Sequence, residues 1–110
     1  MSPIDLHSLA QTLIDEAQAH HSGRQSSSFH GAPGGSLTQI VLALTKGRSL
    51  SEHENPGQAT LQVIVGRVTL ATSERTYALD AGDFMVIPHQ RHDLVAVEDS
   101  AVVLTVVKER

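Results

Sequence analysis

Residues 59–87 read ATLQVIVGRVTLATSERTYALDAGDFMVI, and the fold class turns on this stretch. Four runs rich in β-branched and apolar residues, 59–65, 67–72, 76–79 and 84–87, are separated by short breaks. Gly66 parts the first two, Ser73-Glu74-Arg75 can close a hairpin, and Asp80-Ala81-Gly82-Asp83 supplies a further turn. Strands joined this tightly pair as antiparallel neighbours, because a parallel pair needs a crossover of about a dozen residues or more.

Outward from that stretch the pattern continues. Runs 37–44, 94–97 and 101–107 read as strands, and Ser28-Phe29-His30 as a short one inside an otherwise Ser- and Gly-rich segment, 23–36. No helix of crossover length follows Gly23, which excludes parallel βαβ architecture. Many short strands at close spacing predict an all-β sandwich or barrel. The N-terminal segment is different. Ser2 reads as an N-cap, Pro3 as the first helical residue and Asp5 as part of an acidic first turn. Leu6, Leu9, Ala10, Leu13, Ile14 and Ala17 then form one apolar stripe at helical spacing, and Ser22-Gly23 ends it. The expected organisation is therefore an N-terminal helix over 1–22, packed on the barrel over one of its ends or on a dimer partner, and a β-barrel over 23–110. His20 and His21 read as cations favoured at a helix C-terminus.

Composition narrows the function classes. The 110 residues are 40% hydrophobic and 18% charged, the balance of one folded, soluble domain. Net charge is -4 and the Lys and Arg residues are scattered, so no basic face exists to neutralise phosphates and nucleic acid is not an expected partner. No apolar run approaches the roughly 20 residues that span a bilayer, and no basic n-region precedes an apolar core at the start; no membrane is expected, and the expected location is cytoplasmic. With no Cys and seven His, imidazoles are the natural carriers of site chemistry.

Two segments carry a family resemblance. Gly47-Arg-Ser-Leu-Ser-Glu-His53-Glu-Asn55-Pro-Gly-Gln-Ala59, continuing to Gly66, resembles the first cupin motif, G-x5-H-x-H-x3,4-E-x6-G, with Asn55 at the second His position and Ala59 at the Glu position. Gly82-Asp-Phe-Met-Val-Ile-Pro88-His89-Gln90-Arg-His92 resembles the second, G-x5-P-x-G-x2-H-x3-N, with Gln90 in place of the Gly, His92 one residue early and the terminal Asn not evident. The resemblance implies a small single-domain cupin (RmlC-like): an antiparallel jelly-roll β-barrel whose interior pocket is the functional site. In that family the motif imidazoles and carboxylate converge on a divalent metal with open positions. Here His53 and His92 stand at ligand positions, with His89 or an inward-turned Gln58 or Gln62 available to complete the set.

Two functions follow. One is a non-catalytic barrel that binds a small molecule through His53 and His92 with Asn55 and Gln62, against an apolar wall of Leu61, Val63, Phe84, Val86 and Leu104. The alternative is a divalent-metal-dependent enzyme of oxygenase or isomerase type, with His53, His92 and His89 holding one Fe, Mn, Ni or Zn ion. Pairing into a homodimer is expected, since it resolves exposed sheet edges.

Overall fold

The computed structural model describes residues 2–31, 34–53 and 57–108, and for 51–53 the backbone alone. Among the described residues one helix, α1 (Leu6–Ala19), precedes nine strands: β1 (Arg24–His30), β2 (Leu37–Leu44), β3 (Ser49–His53), β4 (Gly57–Val65), β5 (Arg67–Thr72), β6 (Thr76–Asp80), β7 (Phe84–Val86), β8 (His92–Ala96) and β9 (Ser100–Lys108). Two antiparallel sheets form a jelly roll, one ordered β1-β2-β9-β4-β7 and the other β3-β8-β5-β6.

The strand period decides what each sheet buries. On β4, Ala59, Leu61 and Val63 are buried while Gln58 and Gln62 are exposed, the alternation of a strand with one face inward. Those inward residues join Leu42, Leu44, Val68, Leu70, Leu94 and Val102 in the core between the sheets. A second core lies on the outer face of the larger sheet, where Ala10, Leu13, Ile14 and Ala17 of α1 pack against Val41, Ala43, Ala101 and Val103. Strand β2 is thus covered on both sides, so Val41, Leu42, Ala43 and Leu44 form an unbroken apolar run.

Three local readings are corrected. The helix is capped by Asp5, not Ser2: the Asp5 carboxylate accepts from the Ser8 amide at 3.1 Å and the Ser8 hydroxyl at 3.0 Å. An oxygen three residues ahead of a free first-turn N–H satisfies it directly, whereas Ser2 lies a turn too early. The helix lies on the outer face of the larger sheet rather than over an end of the barrel. Strand β1 spans seven residues, not three, held by the β2 ladder despite its polar sequence.

Two contacts join the corners. Gly66 turns β4 into β5 at φ +88° against Ser100. The buried Ser100 hydroxyl accepts from the Arg67 amide at 3.0 Å and has the Glu98 and Arg67 carbonyls at 2.7 and 3.0 Å as acceptors. Beside it, Asp99 accepts from the Lys46 amide at 2.8 Å and the Gln18 side-chain amide at 2.7 Å, tying α1 to the β2–β3 loop. Those two donors, the Lys46 amide foremost, hold the Asp99 carboxyl below the usual carboxylate range.

Candidate functional site

The smaller sheet brings its polar residues into one cross-strand row. His92 opens β8 and is paired on one side with His53 of β3 and on the other with Thr72 of β5. The next inward row is Leu50, Leu94 and Leu70. Paired residues share a face of the sheet, so His92 and Thr72 cap a leucine row at one end of the jelly roll, with the His53 backbone in register beside them.

His92 is only 2% exposed. Its Nδ1 lies 2.9 Å from the Gln90 carbonyl oxygen. A carbonyl only accepts, so Nδ1 carries the proton, and in the neutral ring Nε2 is the acceptor. The wall beside it is aliphatic, from Leu50, Leu61, Leu70, Ile87, Leu94 and Leu104, and encloses a cavity of about 10 Å³. That volume accommodates about one water molecule, so the interior is filled by leucines. A depression of about 550 Å³ lies at the end of β5 and the start of β8, lined by Ala71, Thr72, Ser73, Gln90, Arg91 and Asp93; the pair Ala71–Asp93 belongs to the outer face of the sheet, and His92 does not line it. It contains the register partner of His92 and the residue whose carbonyl orients it.

The other expected residues are distributed differently. The backbone of His53 is in register with His92, while Asn55 lies outside the described residues. Gln62 is exposed on the outer face of β4, where the strand period places it once Leu61 and Val63 point inward; Gln58 is outward for the same reason. Phe84 and Val86 are 60% and 64% exposed, because Phe84 pairs with Gln62 and shares its outer face. Neither belongs to the interior wall, and Met85 packs on the core instead. Leu61 and Val63 are buried and Leu104 packs against them, as expected of wall residues. His89 is exposed in the loop before β8. Thr72 went unremarked in the sequence; only the β5–β8 register reveals it.

Ala59, at the motif's carboxylate position, is 3% exposed within the apolar core, so a methyl group fills the place of an anionic ligand. Among the described residues no three His, Cys, Asp or Glu side chains gather into a set that could hold an ion. Ala59 therefore supplies no donor, and the described residues alone do not complete a three-ligand set.

A family model described as a cupin domain matches residues 40–108. No curated protein matches. Among solved structures, the chain is similar to a conserved protein of unknown function from Streptococcus pyogenes, at 27% identity and TM-score 0.73, covering 83% of this chain and 79% of that one. A cupin superfamily protein from Desulfitobacterium hafniense aligns at TM-score 0.80 and 16% identity over 98% of this chain and 92% of its own. An acetylacetone dioxygenase from Acinetobacter johnsonii shares the fold at TM-score 0.68 and 16% identity, over 77% of this chain and 60% of the enzyme.

Proposed function

From the premise that this chain belongs to the cupin family, we propose that it binds a small polar molecule at the mouth of the jelly roll, through His53 and His92. The observation that carries the reading is the cross-strand row His53–His92–Thr72 above a closed leucine layer. The buried imidazole of His92 adjoins, through Thr72 and the Gln90 carbonyl, a depression of about 550 Å³, within the usual range for ligand pockets, roughly 300–1,000 Å³. The ligand sits at the mouth because the interior has room for only about one water.

A screen of small uncharged polar metabolites by saturation-transfer NMR tests this reading. Hits are expected to be lost in His53→Ala and in His92→Ala, with circular dichroism confirming that each variant folds. Hits unaffected by both substitutions would refute it. The second reading, a divalent-metal-dependent enzyme, has in its favour the fixed tautomer of His92, which is that of a ligating imidazole. Metal analysis of protein purified without a nickel column decides between them: near-stoichiometric iron, manganese, nickel or zinc that vanishes in both variants would replace the binding reading with the enzymatic one.

The homodimer in this reading forms through the outer face of the larger sheet. Gln39, Thr105, Thr60 and Val86 make one cross-strand row there, and Gln62 and Phe84 part of the next, without a charged residue among them. A second copy meets that face with no charge to desolvate and with Phe84 and Val86 to bury.

A further inference from the structure

The larger sheet has one strand more than the smaller, and the inward side of its β1 edge borders an open cleft. Ser26 pairs with Leu42 and Ser28 with Ile40, so the inner face of this edge runs from small polar residues to aliphatic ones. The cleft measures about 580 Å³. Its floor is Ile40, Leu42, Leu50 and Leu104, and the last two also border the closed cavity beside His92. The two sites are therefore separated by a leucine wall.

The polar rim has one sign of charge. Arg24 and His20 line it with Ser22, and no carboxylate does so among the described residues. The Ser22 amide donates to His20 Nδ1 at 3.2 Å, which leaves Nε2 of the neutral ring as an N–H donor. Arg24 is exposed, and among the described residues its guanidinium has no hydrogen bond or ion pair. The other described arginines are engaged: Arg48 with the His21 carbonyl, Arg67 with Asp80, Arg75 over the Tyr77 ring, and Arg91 also with a partner. A guanidinium with no partner among the described residues, beside an aliphatic trough, is complementary to an anion with a hydrocarbon tail.

We propose that this cleft is a second ligand site, taking a medium-chain aliphatic carboxylate with its headgroup on Arg24 and its chain over Ile40, Leu42, Leu50 and Leu104. The site is independent of the one at His53 and His92, and either can fail without the other.

The test uses octanoate, with octanol and octylamine as controls, titrated into isotopically labelled protein and followed by amide shifts of Ser26, Ile40, Leu42 and Leu50. Octanoate is expected to give saturable shifts there and to bind at least about tenfold more tightly than octylamine. Arg24→Gln is expected to weaken octanoate by about tenfold, as loss of a charged hydrogen bond does, and to leave octanol within about twofold, which also shows that the variant folds. Butanoate is expected to bind more weakly still, by up to about tenfold for each two methylenes no longer buried. Equal binding of the three headgroups, an unchanged octanoate affinity in Arg24→Gln, or no saturable shift at these residues would each overturn the proposal.

Discussion

Gly66 and Gly82 have nearly the same backbone conformation, φ +88° and +93°, and so provide a matched experiment on what the β4–β5 corner contributes. A Cβ at Gly82 meets nothing within 4 Å, so Gly82→Ala incurs only the left-handed backbone cost, about 1–2 kcal/mol, partly offset by the reduced freedom of the unfolded chain. A Cβ at Gly66 would instead fall on the Ser100 hydroxyl, 2.5 Å from the Asp99 carbonyl and 2.9 Å from Ser100 Cα. Two of these atoms belong to backbone, so the corner must open and the buried Ser100 hydroxyl must give up its bonds to Arg67 or Glu98. Leaving such groups unpaired adds about 1–3 kcal/mol. Gly66→Ala is thus expected to cost about 2–5 kcal/mol, a large part of the roughly 5–15 kcal/mol that stabilises a domain. Urea unfolding followed by far-ultraviolet circular dichroism measures both variants, and the Gly66→Ala midpoint should lie about 1–2 M below that of Gly82→Ala. Equal midpoints would refute the argument, since only the contacts at Ser100 distinguish the two positions.

Four further outcomes are expected. Leu61→Ala, at a fully buried wall position, should cost about 3 kcal/mol, whereas Phe84→Ala, measured in the monomeric Val86→Glu background where the position is exposed, should stay within about 0.5 kcal/mol; thermal unfolding of the two checks the β4–β7 register. Asp99 has a depressed carboxyl pKa, so its stabilisation is present above the unfolded value of about 3.9 and is lost as pH falls through the folded value. Asp99→Asn should therefore lower the urea midpoint at pH 6 more than at pH 3, and an equal loss at both would count against the ionised hydrogen bonds. Val86→Glu should leave the fold intact and shift sedimentation toward monomer, because it puts a charge on the uncharged sheet face. Ser100→Ala should cost about 2 kcal/mol by denaturation, through the Arg67 amide left without its acceptor.

The parts of the fold legible in the sequence are those where period and turn chemistry coincide. Residues 59–80 alternate cleanly between bracketing turns, and strands β4 to β6 follow the reading closely. Strand β3 was not read at all, because Ser-Leu-Ser-Glu-His has one apolar residue and its strand form comes from the β8 ladder. In the run Phe84, Met85, Val86, Ile87, every residue is apolar, so composition cannot say which pair faces in; the pairing of Phe84 with exposed Gln62 decides it. The site was legible to the same degree. The motif spacing singled out His53 and His92, and the structure sets their backbones side by side. The role of Thr72 and the closure of the interior depend on which strands neighbour β8 and how leucines interdigitate, and no single segment encodes either.

Strand β9, last of the nine in chain order, lies at the centre of the larger sheet, between β2 and β4. During vectorial synthesis, β2 and β4 leave the ribosome well before the strand that joins them. The nascent chain must hold their apolar edges apart until β9 emerges, so the larger sheet closes after translation of Ser100–Lys108 and not progressively. Until then those edges are exposed to other chains, and the interval is one in which a holdase chaperone would raise the yield of folded protein.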